Sequence, residues 1–453
     1  MNEQIVDESI ELEVADFGPI AEARIDLRPL TVFVGPSNTG KSYLAILIYA
    51  LHKIFSGDLY LAGRRFRREF PFLFGPGNQE LSEEIFRILL EMFNSFIEDA
   101  KSNEQYSLAL PPRAAEILRI GFNQLADVLS DEIGRCFGVE GSYRLIRRGR
   151  ANVSRIVMRR QMSGHVDPVE HVVSLSRKPD FNSTVPSEMQ IPAEFPTDFG
   201  SRYEFGRYFH RQMRYLNKEK WDASSQKLAT MEFLSIFGNM VLPSLVGPLH
   251  LPAFYLPADR SGVMHAHSVV VSALIASAPT AGVRPAARTP MLSGVLADFL
   301  EQLIEIDQTG RARRERKRDL GRNMEELILG GSVRIDRSTH ADYPRFAYRP
   351  HGWKDDLALA NASSMVSELA PVVLYRRHMI QPGSVLIVEE PESHLHPAMQ
   401  VALMRQVAAL VDAGIRVIIT THSEWLLEEL ANVVRRSELP EAERGDEIAL
   451  RAH

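Results

Sequence analysis

Apolar and polar positions along this 453-residue chain follow two rhythms, and the places where one gives way to the other mark out its elements. ELEVADFG alternates in part, AEARIDL follows a Gly-Pro turn, and TVFVG is a short apolar run, so the chain opens in strands. KSYLAILIYALHKIF is apolar on most faces and predicts a buried helix. From Leu61 to about Val241 the pattern changes to that of an inserted region. LSEEIFRILLEMFNSFIEDA and AAEILRIGFNQLADVLSDEIGRCF carry helical spacing, SYRLIRRGRANVSRIVMRRQ predicts a sheet or hairpin, and PDFNSTVPSEMQIPAEFPTDFG predicts loop.

The last third is compact again. MLSGVLADFLEQLIEI predicts an amphipathic helix, GSVRIDR and PRFAYRP the strands of a hairpin, and SSMVSELAPVVLYRRHM a helix. The apolar run SVLIVEE, the helix AMQVALMRQVAALVDAG and the run RVIITTHS then give strand, helix, strand, the signature of a parallel sheet covered on both faces. The expected fold is α/β, with N-terminal antiparallel strands, a parallel core flanked by helices and a mainly helical insertion. Its expected division is residues 1–60, 61–240 and 241–453, the first and last forming one head.

Three of the strand ends carry chemistry. GPSNTGKS follows TVFV directly: Gly35, Pro36, Ser37, Asn38, Thr39, Gly40, Lys41 and Ser42 match the phosphate-cradling pattern G-x-x-x-x-G-K-[ST] without a mismatch. Backbone amides kept open by the two glycines converge on phosphate oxygens, Lys41 supplies a cation, and Ser42 offers a hydroxyl to Mg²⁺. In SVLIVEEPESHLHP a buried run ends in Glu389 and Glu390. The first carboxylate can share a Mg²⁺ ion with Ser42, and the second, on the other side of the strand end, can deprotonate an attacking water. RVIITTHS ends in His422, about thirty residues on, where a neutral imidazole can contact the γ-phosphate or that water.

These three motifs resemble the ATPase core of the ABC-type heads, the class of SMC and RecF proteins and, closest in wording, the OLD-like ATPases of bacterial defence. FYLPADRSG, Phe254 to Gly262, resembles a stretch common in the OLD-like group. The resemblance implies ATP and Mg²⁺ as cofactors, Lys41 as the phosphate lysine, Ser42 and Glu389 as the metal pair, Glu390 as catalytic base and His422 as switch histidine. It also implies a homo-oligomer in which ATP lies between two heads, with a signature serine of one copy on the γ-phosphate held by the other. ANASSMVSELAP places Ser363 and Ser364 at a helix start suited to that role, but Met365 stands where the resembled family has glycine.

Composition narrows the function classes. The single cysteine, Cys136, excludes an intrachain disulfide and any multi-cysteine metal site, and favours a cytoplasmic setting. HSVVVSALIASAPTAGV is cut by Pro279 and is too short to span a membrane, and the acidic N-terminus has no signal-peptide pattern. Few residues follow His422, too few for a nuclease domain of the OLD type, and His265 and His267 read as structural. The expected function is therefore an ATPase that scaffolds or controls a separate nuclease or toxin effector, as in the PARIS, Septu and retron-associated anti-phage systems. The alternative is a RecF- or SMC-like ATPase acting directly on DNA. Three basic clusters favour the alternative: Arg64–Arg68, Arg147–Arg160 and Arg311–Arg318, set against a net charge of -6. A small-molecule kinase ranks third, because Glu390 and His422 suit water activation better than an acceptor pocket.

Overall fold

The computed structural model describes residues 9–56, 58–61, 64–67, 107–109, 112–123, 125–149, 151–161, 168–185, 190–192, 244–265, 292–309, 324–336 and 345–438. The predicted helices at 81–100 and 267–283 lie outside them, as do the arginine side chains at 64–68 and the cluster at 311–318. Contacts divide the chain into two compact units. One comprises residues 1–27, 50–133 and 141–251, and the other residues 28–49, 134–140 and 252–453.

In the first unit an antiparallel sheet runs in the order Ile20–Leu27, Ile10–Phe17, Ser154–Arg160, Val169–Leu175, Asp180–Thr184. Residue 12 faces residue 158, so a strand of the predicted insertion pairs with the chain's opening strand. Alternation puts Ile10, Leu12 and Val14 in the core and leaves their neighbours half-exposed. Asp180–Thr184 is a strand where polar composition predicts loop. Phe181 and Ser183 point inward, and Ser183 is buried because its hydroxyl meets His171 Nδ1 at 2.8 Å. The long helical stretch predicted at 114–137 is two helices, Pro112–Asn123 and Ala126–Phe137.

The second unit holds the parallel sheet. Its strand order is Ala253–Leu256, Val385–Glu389, Arg416–Thr421, Leu30–Val34, and all three pairings are parallel. Val385–Glu389 is buried at every position, as a strand covered on both faces must be. The helix Pro397–Asp412 makes the crossover from Val385–Glu389 to Arg416–Thr421. Leu369, Val373, Leu386, Val407, Val417 and Ile419 belong to one core between sheet and helices. The predicted hairpin forms, with Gly331 opposite Pro350 and Asp336 opposite Arg345. A buried carboxylate, Asp298, takes a two-point ion pair from Arg135 at 2.9 and 2.8 Å and a hydrogen bond from the Tyr49 hydroxyl at 2.8 Å. That pairing compensates the cost of the charge and fastens residues 134–140 to the helix Gly294–Thr309.

Candidate functional site

Parallel register brings the three chemistry-bearing strand ends to one edge of the sheet. Glu389 lies opposite Thr420, and Thr421 lies opposite Val34, the residue before Gly35. In open parallel sheets the carboxyl ends of the strands are where ligands sit.

The loop after Val34 has the shape of an anion cradle. Gly35 (φ +150°) and Gly40 (φ +101°) take conformations that favour glycine, and Asn38 adopts φ +63°. Thr39 Oγ1 donates to Pro36 O at 2.9 Å, bracing the turn. The helix Lys41–Phe55 starts at the end of the loop, so its N-terminal amides face the same space. Lys41 is 9% exposed, and its ammonium donates to the carbonyls of Gly35 at 2.9 Å and Pro36 at 2.7 Å. It lies folded along the loop whose anion it is suited to bind.

Glu389 ends its strand almost fully buried. Its Oε2 accepts from the Ala258 amide at 3.3 Å, whereas Oε1 has no hydrogen-bond partner. Burial pushes this carboxyl above the usual carboxylate range, opposed by Ser42, Tyr255 and the Ala258 amide and reinforced by the charge of Glu390. A buried carboxylate oxygen without a partner, with the Ser42 hydroxyl beside it, fits a hard divalent cation, which takes oxygen ligands. Ser42 and Glu389 would hold Mg²⁺, and the ion would neutralise phosphate charge when bound.

Glu390 is built differently. It is a non-glycine residue at φ +41°, held by its own amide donating to Thr420 O at 2.9 Å and approaching Thr420 Oγ1 at 3.2 Å. Its side chain reaches across the strand gap, and Glu390 Oε1 lies 3.2 Å from His422 Nε2. Both side chains are about one-third exposed, at 39% and 32%, so water has access to the pair. A carboxylate and an imidazole in contact at a phosphate-binding edge can together orient and deprotonate a water molecule.

The structure adds two residues that sequence reasoning missed. Glu392 Oε1 accepts from the Thr421 hydroxyl and from the His422 amide, each at 2.7 Å, and so fixes the backbone that carries the imidazole. Arg260 is 0% exposed and donates to the carbonyls of both Glu389 and Glu390. It lies within FYLPADRSG, and that resemblance was its only sequence signal. Nothing in the local pattern shows that an arginine there is buried.

Ser363 and Ser364 lie on a different element, the start of the helix Ser364–His378. Both are exposed, and Ser363 is the N-cap, its Oγ accepting from the Val366 amide at 3.4 Å. Met365 packs against the core. His265 bonds Ser367 Oγ at 2.7 Å, in keeping with a structural role. In the second basic cluster, Arg159 is paired with Glu13 and Glu170 and Arg160 is buried, whereas Arg148 and Arg155 are exposed.

Residues 296–427 match the family model described as an AAA ATPase domain. The match spans Glu389, Glu390 and His422, and the phosphate loop completes the site from outside it. The fold is that of an α/β P-loop NTPase. The enzyme is an ATPase. A search of curated proteins finds no match. Among solved structures, the SmcHead bound to the C-winged helix domain of ScpA aligns over 92% of this chain and 90% of its own, at 11% identity and TM-score 0.40. An SMC head domain from Thermotoga maritima aligns over 93% and 91%, at 11% identity and TM-score 0.36. An Smc head with an extended coiled coil, bound to a ScpA C-terminal domain derived from Pyrococcus furiosus, aligns over 92% and 90%, at 11% identity and TM-score 0.37. At such scores these likenesses say nothing of partner or substrate.

Among the described residues no helix is long and apolar enough to cross a membrane.

Proposed function

We propose that this ATPase works as an ABC-type head: ATP bound at the loop Gly35–Ser42 joins two copies of the chain, and its hydrolysis releases them. The contact between Glu390 and His422 carries the reading, because it pairs a base and an imidazole at the edge where the phosphate loop opens. In this scheme Glu390 takes a proton from water as the water oxygen attacks the γ-phosphorus, and the bond to the β–γ bridging oxygen breaks. His422 orients that water, and Lys41 balances phosphate charge. Ser363 or Ser364 of a second copy contacts the γ-phosphate, a role supported by the exposure of both at a helix start. The head is taken as residues 1–60 and 241–453 and the insertion as 61–240.

The test is light scattering of the full chain with and without ATP. Glu390→Gln should bind ATP, fail to turn it over, and accumulate as a dimer that the unsubstituted protein forms only transiently. Normal turnover in that variant would move the base role elsewhere, and a monomer at saturating ATP would end the two-copy scheme.

Two outlets for the cycle remain as proposals: direct action on DNA, and control of a separate nuclease or toxin effector in anti-phage defence. We take the first as the working reading, because the second needs an effector that no observation on this chain calls for. DNA binding that requires ATP and weakens steeply with added salt supports it. Co-purification of a nuclease, with no DNA affinity, would favour the effector.

A further inference from the structure

We propose that Arg260 is a positioning residue for hydrolysis: it holds the strand end at Glu389 and Glu390 in the bent backbone conformation that turns Glu390 toward His422. The inference rests on the assignment of Glu390 as catalytic base.

The guanidinium makes a full set of contacts with no access to solvent. Nη1 donates to Glu389 O at 2.6 Å and Pro257 O at 3.0 Å, Nη2 to Glu390 O at 3.2 Å, and Nε to Glu368 O at 3.1 Å. Nη2 also lies 2.6 Å from Glu368 Oε1, whose side chain is 1% exposed. In an extended strand successive carbonyls point to opposite sides, so one group cannot collect two in a row. Arg260 collects those of Glu389 and Glu390, and it can do so because the chain leaves the extended conformation at Glu390, with φ +41°. A left-handed backbone at a glutamate is strained and persists only where its surroundings over-determine it. Here the Thr420 contacts hold the amide side of Glu390, and Arg260 holds the carbonyl side.

A plain stabilising ion pair between Arg260 and Glu368 is the competing explanation. Burying such a pair is a poor way to gain stability, because desolvation of both charges cancels much of their attraction. Contacts to four carbonyls, two of them from the acids at the site, are what a planar five-donor group offers and an ammonium does not.

The two explanations separate in kinetics. Arg260→Lys in the full chain should leave ATP affinity unchanged, since the phosphate loop is untouched, while lowering kcat by about 10²-fold, the scale of loss from a misplaced catalytic group. In a Glu390→Gln background the same change should cause no further loss, because the group it positions is already gone. Unchanged kcat in a folded Arg260→Lys, or a loss that multiplies fully with that of Glu390→Gln, would overturn the proposal. Should Arg260→Lys not fold, Glu368→Gln serves: freeing the Nη2 side should lower kcat about tenfold at constant ATP affinity, and an unchanged kcat there would also overturn it. If Glu390→Gln itself turns over normally, the base assignment fails. If only the Arg260 and Glu368 variants do, this inference fails alone.

Discussion

At the scale of single residues, the two adjacent acids are held in opposite surroundings. Glu389 is buried, short of partners and pushed toward its protonated form, whereas Glu390 is open to water and faces an imidazole. A carboxyl whose folded pKa is raised binds its proton more tightly when folded, so it disfavours folding as pH rises past its usual value of 4.5. Glu389→Gln should therefore raise the melting temperature of the nucleotide-free protein at neutral pH and abolish Mg²⁺-dependent hydrolysis. A melting series from pH 4 to pH 8 checks the sign, since the gain should grow with pH. Lys41 carries a simpler expectation: Lys41→Ala removes the cation from the cradle and should abolish ATP binding in calorimetry, with the fold intact by circular dichroism.

At the scale of elements, the segment from Glu389 to Ser423 carries both the proposed catalytic pair and the bonds that hold it. Glu392 accepts from Thr421 and His422, Ser423 Oγ donates to Gln400, and Gln400 Nε2 donates to Leu395 O at 2.9 Å, which ties the histidine strand to the helix Pro397–Asp412. Glu392→Ala should free the His422 backbone, lowering kcat with little change in ATP affinity, as steady-state kinetics and calorimetry would show. The helix Ser364–His378 raises a separate question, because Ser363 is a cap whichever other role it has. Its capping bond is long, so Ser363→Ala should cost about 0.5–1 kcal/mol of stability in denaturant titration. A loss of ATP-driven association well beyond that would identify Ser363 as the residue acting across to a second copy. The same loss in Ser364→Ala alone would assign it to its neighbour. Met365 takes the place of the expected glycine because its side chain is used for packing against the core.

At the scale of the molecule, the first unit has its own pH limit. His171 is fully buried among Phe122, Phe55 and Phe181, the nearest ring centroid being 4.6 Å away, and it bonds Ser183 Oγ and Leu245 O. Burial lowers its pKa from 6.5 to about 4. A neutral imidazole buried in this way leaves stability complete above pH 6.5 and withdraws it as pH falls toward 4, amounting to about 3 kcal/mol in all. Acid unfolding followed by fluorescence should show that window, and His171→Leu should flatten it while lowering stability at neutral pH, because Ser183 and Leu245 O lose their partner. Pairing of Ile10–Phe17 with Ser154–Arg160 means that this unit forms only after a long stretch of chain closes on itself, which makes its folding slow relative to the local βαβ unit.

The sequence by itself determined whatever is contiguous: the phosphate loop between strand and helix, the acid strand, the histidine strand and the hairpin. In each, a few neighbouring residues fix both conformation and chemistry. Only the tertiary structure decided what depends on burial and on distant partners. It turned Asp180–Thr184 into a strand by giving Ser183 a buried bond, divided the arginines at 159–160 between ion pairs and core, and brought Arg260 to the carbonyls of Glu389 and Glu390. A side chain's charge is written in the sequence, but whether water or a carbonyl satisfies it is settled by which strands come to lie beside it.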